Sequence, residues 1–369
     1  MKFKCEKSIL MAAINTAARA AASKSPIPAL EGILVEAGTG NVCFTGYDLK
    51  RGIYTRVDAD IDEPGSVVLG ARIFGDIIRS LPSGEVSIQS GDNNSVTIRC
   101  EKNEFSILGT DADDYPELPS VDSQTGVSLP QNLLGEMIRQ TIFAVSDNEA
   151  RPIYTGELFE VSGGTLTAVA VDGYRLALRK ESVENVEGDF TFIVPGKALS
   201  DLEKLCGDTD ESVRILLGSK HISFTIGDTV LVSRRLEGDF LNYHKAIPAS
   251  FAVNVDVDKG DLQRAVERVS LIIDDKVKNP VRCTFGEDSI YMTCATALGK
   301  AESFCPITGS GNGVEIGFNN RYLLDALKAA PADEIRVCLN TGSSPCVLTP
   351  QDESDKFMYM ILPVRLKAD

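Results

Sequence analysis

The 369-residue chain has no tryptophan, and its aromatic content is only 7%. No aromatic-rich stacking platform is visible, so reading of exposed bases is not expected. Only two histidines occur, His221 and His244, and their spacing suits no metal ion. Nine cysteines lie at positions 5, 43, 100, 206, 283, 294, 305, 338 and 346, with no C-x-x-C pair and an odd count. Most fall in apolar strand-like stretches, so they read as buried free thiols of a reducing compartment. Long hydrophobic runs are missing too. Apolar runs such as 67–69 and 168–171 fall far short of the ~20 residues that span a bilayer. The start, Met1-Lys2-Phe3-Lys4-Cys5-Glu6, has no cleavable apolar stretch behind it, and the Ala-rich 11–22 carries Arg19 and reads as a helix. A cytoplasmic protein is expected.

The signatures of most enzymes are also absent. No phosphate loop, nucleophile elbow or dinucleotide fingerprint follows a strand. Gly309-Ser310-Gly311-Asn312-Gly313 precedes a strand instead of opening a helix, so a flexible loop is expected there. Asp111, Asp113 and Asp114 raise the question of a cation site, but alternate carboxylates before Tyr115-Pro116 read better as a solvated turn. Asn93-Asn94-Ser95 fits a glycosylation acceptor that a cytoplasmic chain never presents. The expectation is no catalytic residue, no metal, no cofactor and no enzyme.

What is present is a repeat. The length exceeds one ordinary core and suggests two or three domains of roughly 100 to 200 residues. Segments 67–81, 192–205 and 314–327 share one form: a short strand, a break and an amphipathic helix. Ala71 and Gly196 are 125 positions apart, and Gly196 and Phe318 are 122 apart. A longer helix is predicted before each, over 7–24, 130–145 and 259–272, with apolar residues such as Leu262, Ala265, Val266 and Val269 at helical spacing. Alternating strands follow at 32–53, 156–178 and 281–303. Each copy closes on a similar ending: Asp114-Tyr115-Pro116-Glu117-Leu118-Pro119, Asn242-Tyr243-His244-Lys245-Ala246-Ile247-Pro248, and Leu362-Pro363-Val364-Arg365-Leu366. The fold class is therefore α+β: three repeated domains, each two helices on antiparallel sheets. Their expected bounds are 1–121, 125–248 and 252–369.

Within the second copy, Ala168-Val169-Ala170-Val171 breaks at Asp172-Gly173 and resumes as alternating Leu176 and Leu178. Asp-Gly suits a tight turn between two strands. Tyr174 and Arg175 beside it have the composition of a binding surface, or of a plain hairpin cap.

Charge is divided unevenly. The chain carries 37 basic and 53 acidic residues, net −16, which argues against a generic nucleic-acid binder. Yet the six predicted helices hold 13 basic against 7 acidic residues, leaving −22 for everything else. Helices lining a channel would attract a polyanion while the outer wall repelled it. Sequence-blind phosphate contact is expected from Lys24, Arg72, Arg79, Arg139, Lys197, Lys204, Arg264, Arg268, Arg321 and Lys328.

Over essentially its whole length the chain resembles the bacterial DNA polymerase III beta subunits, the replicative sliding clamps. The resemblance rests on the triple repeat, on Val171-Asp172-Gly173-Tyr174-Arg175-Leu176-Ala177, on Arg151-Pro152-Ile153-Tyr154-Thr155-Gly156, on Phe318-Asn319-Asn320-Arg321-Tyr322 and on the terminal Leu362-Pro363-Val364-Arg365-Leu366. It implies a DNA clamp fold and a head-to-tail homodimer closed into a ring around duplex DNA, helices inside and sheets outside. It puts Phe105, Leu271, Ile272 and Ile273 at the dimer interface. Leu271 also suits a core role, whereas adjacent Ile272 and Ile273 cannot both face one helical stripe. Lys24 and Arg151 match DNA-contacting positions.

The resemblance further implies a pocket for a short, extended, partly hydrophobic peptide. Tyr154, Gly173, Tyr174, Arg175, Leu176, Leu241, Asn319, Tyr322, Met360, Pro363, Val364 and Arg365 would form it, with Arg175 and Asn319 orienting the peptide. The implied partners are double-stranded DNA, the replicative polymerase, a clamp loader, and repair polymerases or other proteins carrying the same peptide motif. No membrane is involved. Past Leu366 the chain continues with Lys367-Ala368-Asp369. Two rival readings are a hydrolase using Asp111 to Asp114, and a monomeric repeat adaptor that binds peptides without DNA.

Overall fold

The protein is described by a computed structural model covering residues 1–184, 188–274, 279–352, 354 and 356–366. The tail Lys367-Ala368-Asp369 lies outside the described residues. Among those described there are six α-helices: α1 (Lys7–Ala18), α2 (Ala71–Ser80), α3 (Gln131–Thr141), α4 (Gly196–Leu205), α5 (Lys259–Ser270) and α6 (Asn320–Ala329). All strand pairings join antiparallel neighbours. The chain is thus α+β, with a long and a short helix in each of three copies.

Local chemistry explains where the helices run. In α2, Phe74, Ile77 and Ile78 are buried while Arg72, Asp76 and Arg79 take the other face, the stripe of an amphipathic helix. Asp258 caps α5, its side chain accepting from the Asp261 amide, and Leu262, Ala265, Val266 and Val269 form the buried stripe.

The long helices end sooner than predicted. α1 stops at Ala18 instead of reaching Lys24, because the Arg19 carbonyl accepts from Arg51 Nη2 (2.9 Å) and the Ala22 amide turns to the Leu30 carbonyl (2.8 Å). α3 stops at Thr141, whose φ of −125° breaks the helix ahead of a 3-10 turn at Ile142–Ala144. In α5 the Ser270 hydroxyl donates back to the Val266 carbonyl (2.7 Å), and the helix ends there. With these bounds the helices hold 11 basic against 7 acidic residues, a smaller excess than predicted, since Arg19 and Lys24 lie beyond α1.

The chain divides into two compact units. The first comprises Met1–Gly135 with Ser200–Arg235. Its eight-stranded sheet runs in the order Gly126–Pro130, Ser212–Leu217, His221–Ile226, Thr229–Arg234, Arg51–Asp58, Asn41–Tyr47, Gly32–Ala37, Gly65–Gly70. A five-stranded sheet, with Asn103–Leu108 at one edge, and the pair α1 and α2 enclose a core around Phe3, Leu10, Ile14, Phe44 and Phe74. Each such fully buried side chain contributes about 1.5–3 kcal/mol. Asp111 caps the turn Ala112–Asp114, its carboxylate accepting from the Asp113 amide at 3.0 Å, in the solvated arrangement expected of it.

The second unit comprises Glu136–Leu199 with Leu236–Asp369. Its eight-stranded sheet runs Phe190–Pro195, Gly156–Ser162, Thr165–Val171, Arg175–Ser182, Phe357–Ile361, Cys346–Pro350, Glu334–Leu339, Val253–Asp258. A four-stranded sheet, edged by Gly299–Pro306, packs with α5 and α6 around Phe285, Phe318, Leu327 and Tyr359. In both units the middle of the large sheet is a seam between repeats: Arg51–Asp58 pairs with Thr229–Arg234, and Arg175–Ser182 with Phe357–Ile361.

The loop 309–313 is not loose. Gly311 and Gly313 donate to the Gly286 and Phe285 carbonyls at 2.7 and 2.9 Å, correcting the expectation of a flexible segment. Seven of the nine cysteines are buried, with Cys43 and Cys206 half-buried, and all nine are free thiols.

Candidate functional site

The Asp-Gly turn organises the site. Asp172 Oδ1 accepts from the amides of Tyr174 (2.8 Å) and Arg175 (3.0 Å), and Gly173 takes φ +91°, a conformation that glycine adopts without strain. The turn leaves Tyr174 61% exposed while Arg175 is drawn inward. Arg175 Nε donates to Asp172 Oδ2 (2.9 Å) and Nη1 to Asp325 Oδ2 on α6 (2.6 Å). Its guanidinium carbon lies 4.5 Å from the Tyr322 ring centre and 5.3 Å from that of Phe143. Tyr174 in turn stacks on Tyr322, ring centres 6.1 Å apart. Arg175 is therefore a spacer clamped on its edges by two carboxylates and on its faces by two rings.

The segment after Phe357–Ile361 closes the other side. The Leu362 amide donates to the Tyr174 carbonyl (2.9 Å) and the Val364 amide to the Gly317 carbonyl (2.8 Å). Gly317 is required here, since a Cβ would lie 2.6 Å from the Val364 carbonyl oxygen. Beneath, Leu176 and Met360 are buried in a cluster with Leu158, Leu178, Tyr243 and Val347, bordered by Phe240 and Ile247. Tyr154 meets Phe240 edge to face at 5.5 Å.

Of the twelve residues assigned to the pocket, Leu176 and Met360 are buried. Tyr154, Arg175, Asn319, Tyr322, Pro363 and Val364 are half-buried, and Gly173, Tyr174, Leu241 and Arg365 are exposed. Asn319 Oδ1 accepts from the Arg321 amide (3.0 Å) as the cap of α6, so both groups expected to orient a ligand are already bonded internally. Burial, and next the Asp172 carboxylate, push the Tyr322 hydroxyl above its ordinary pKa, keeping it a neutral donor.

Sequence reading singled out Asp172 only as a turn residue, and did not single out Phe143, Phe240, Gly317 or Asp325. A signal for Asp325 was available. Shifting the chain by 124 positions superposes Asp48 on Asp172, Arg51 on Arg175 and Asp201 on Asp325, and Arg51 Nε does donate to Asp201 Oδ2 at 2.7 Å.

The cations proposed to meet phosphate are exposed, but several are engaged. Arg79 bonds Asp76 (2.7 Å), Arg72 lies 3.9 Å from the same carboxylate, Arg264 bonds Asp261 (2.6 Å) and Arg268 Nε donates to Ser303 (3.0 Å). In the first unit Lys24 sits on the loop after α1, with Lys204 on α4; in the second, Arg139, Arg151 and Lys197 are exposed.

At the expected interface positions, Phe105 is 37% exposed on an edge strand and Leu271 is 84% exposed. Ile272 and Ile273 instead pack against the core cluster of the second unit. The relative assignment is thus reversed: α5 ends at Ser270, so the three residues no longer follow one helical stripe and Leu271 is the one turned to solvent. Leu298 and Phe304, on or beside the edge strand Gly299–Pro306, are also exposed.

A triplicated α+β chain, with an apolar cluster and stacked aromatic rings at a seam between repeats, has the architecture of the sliding-clamp class. Family models of the DNA polymerase III beta subunit match throughout: the N-terminal domain over 1–119, the central domain over 128–242 and the C-terminal domain over 244–365. The beta sliding clamp of Staphylococcus epidermidis is 31% identical, the match covering 99% of each chain. The crystal structure of the Bacillus subtilis DNA polymerase sliding clamp is similar at a TM-score of 0.94 with 32% identity, covering 100% of both chains. That of a putative DNA polymerase III beta subunit from Eubacterium rectale matches at 0.94 with 31% identity, over 99% of this chain and 100% of that one. The chain belongs to the DNA polymerase III beta subunit family.

Proposed function

We propose that the chain is a DNA sliding clamp: two copies close head to tail around duplex DNA, and the groove tethers the replicative polymerase and other partners by a short peptide. The observation that carries this reading is the match of all three clamp domains along one chain, over residues 1–365. The proposed domains are 1–121, 125–248 and 252–369. The clamp catalyses nothing; it raises the effective concentration of a polymerase at its template. Grip by topology needs only weak, sequence-blind contacts, and exposed cations already shared with Asp76 and Asp261 suit such contacts.

Peptide side chains would rest on Leu176 and Met360 and against Tyr154, Tyr174, Tyr322, Pro363 and Val364, an apolar floor with aromatic walls. Head-to-tail closure would use the exposed edge around Phe105 on one copy and Leu271 with Phe304 on the other. Both are unpaired sheet edges or their neighbours. The partners proposed are a clamp loader, the replicative polymerase and repair polymerases. No helix among the described residues is long and apolar enough to cross a membrane.

The test is retention on DNA of two shapes. The protein is loaded by its clamp loader and ATP on nicked circular plasmid, isolated by gel filtration in high salt, and half the sample is linearised. Retention on the circle with loss from the linear form is expected. Equal behaviour on both would replace the ring by an ordinary binder or the monomeric adaptor.

A further inference from the structure

The carboxylate–arginine–carboxylate staple beside the groove occurs twice in the chain. In the first unit, Arg51 donates from Nε to Asp201 (2.7 Å) and from Nη1 to Asp48, whose Oδ1 also accepts the Arg51 amide (2.8 Å). In the second unit, Arg175 bonds the corresponding pair with the nitrogens exchanged, Nε to the near Asp172 and Nη1 to the distant Asp325, and each arginine lies 150 positions before its distant carboxylate. The surroundings differ. On the first staple, Lys50 and Ala198 stand where the second has Tyr174 and Tyr322. Gly52 stands where the second has Leu176, and Leu118 covers it so closely that a Cβ would lie 2.6 Å from its Cδ2. The same device therefore holds a seam covered by Leu118 at Gly52 in one unit and a seam faced by the stacked Tyr174 and Tyr322 rings in the other.

We infer that Asp325, acting through Arg175, is a positioning residue for peptide binding: it holds the guanidinium on which Tyr322, and then Tyr174, are stacked. This rests on the groove being the peptide site. Asp325 is 41% exposed and bonds Arg175, whose side chain is 11% exposed, while toward Tyr322 on the same helix it acts only as a weaker nearby charge. Without the Asp325 bond, Arg175 keeps Asp172 but loses the anchor that fixes it to α6, the helix that carries Tyr322. The aromatic wall then loses its fixed spacing, and the binding surface must be ordered by the ligand itself.

The probe is a fluorescein-labelled extended peptide carrying leucine and phenylalanine, followed by polarisation against the full chain. Asp325→Asn is expected to weaken it about fivefold to tenfold. Asp201→Asn, the matching change in the other staple, is expected to leave affinity within about twofold. In a Tyr322→Ala background, Asp325→Asn should cost nothing further, a non-additivity that general destabilisation would not produce. Binding by the unaltered chain with equal affinity for Asp325→Asn overturns the inference alone, as do equal losses from Asp201→Asn. No binding by the unaltered chain overturns the peptide-site reading and this inference together.

Discussion

Replacing Glu157 with glutamine should stabilise the protein, and more so as pH rises. Glu157 is completely buried on strand Gly156–Ser162, opposite Val194. Its Oε1 lies 2.6 Å from the Thr141 hydroxyl, and its Oε2 has no partner among the described residues. The Thr141 hydroxyl also lies 2.7 Å from the Met137 carbonyl, which can only accept. A hydroxyl has one proton. If that proton goes to Met137, the bond to Glu157 requires the carboxyl to be the donor, and so to be neutral. Burial points the same way, pushing its pKa from 4.5 up to about 8, with the Thr141 bond opposing in part.

The native state thus keeps a proton that the unfolded chain releases above pH 4.5. Stability contributed at this site is full below that value, falls as pH rises, and levels off above about 8. At ~1.4 kcal/mol per unit, the loss at pH 7.5 is on the order of 4 kcal/mol at most. Glutamine has the same shape, carries no charge at either pH, and donates from its amide to Thr141. Glu157→Gln should therefore raise the melting temperature by roughly 5–10 °C at pH 8 and by no more than about 3 °C at pH 5.5. Calorimetry at the two values measures this. An equal shift at both, or a fall at pH 8, would mean that Glu157 is ionised in the native state and the hydrogen count is wrong.

Leu271→Lys should convert the dimer to monomers in analytical ultracentrifugation, because an 84% exposed leucine has no role inside its own chain. Asp201→Asn should cost about 2–3 kcal/mol in urea unfolding, since it leaves the buried Arg51 with Asp48 as its one carboxylate. With a thiol reagent under native conditions, Cys43 and Cys206 should react first and the seven buried cysteines only on unfolding.

The repeat was legible because a helix stripe and an alternating strand are periodic, and periodicity survives when identities change. Leu262, Ala265, Val266 and Val269 announced α5 in that way, and all four are buried. Helix ends were less legible, since a distant donor decides them. Nothing near Arg19 says that Arg51 will take its carbonyl, and nothing near Thr141 says that Glu157 will bond it. The groove was half legible. Tyr174 and Tyr322 carry their own surface chemistry, whereas Phe143 looks like an ordinary core ring until Arg175 is seen lying over it. Leu271 was misjudged against Ile272 and Ile273 because the stripe was extended two residues past the real end of the helix.

The two staples show how a repeat can specialise without losing its frame. Holding a turn against the next helix is a demand common to both seams, and an arginine meets it with a planar fork that two carboxylates can grip at once. That grip leaves the residues next to the arginine free to vary. At the first seam they became lysine, alanine and glycine, and Leu118 settled into the space the glycine left. At the second they became tyrosine, tyrosine and leucine: Tyr174 stays 61% exposed and stacks on Tyr322, which Arg175 lies over, while Leu176 is buried in the apolar cluster. Both seams keep the same sense of strand pairing, since Arg51–Asp58 and Arg175–Ser182 are each antiparallel to the strand of the next repeat. The difference between the two seams therefore lies in the side chains carried by the staple and not in the staple itself.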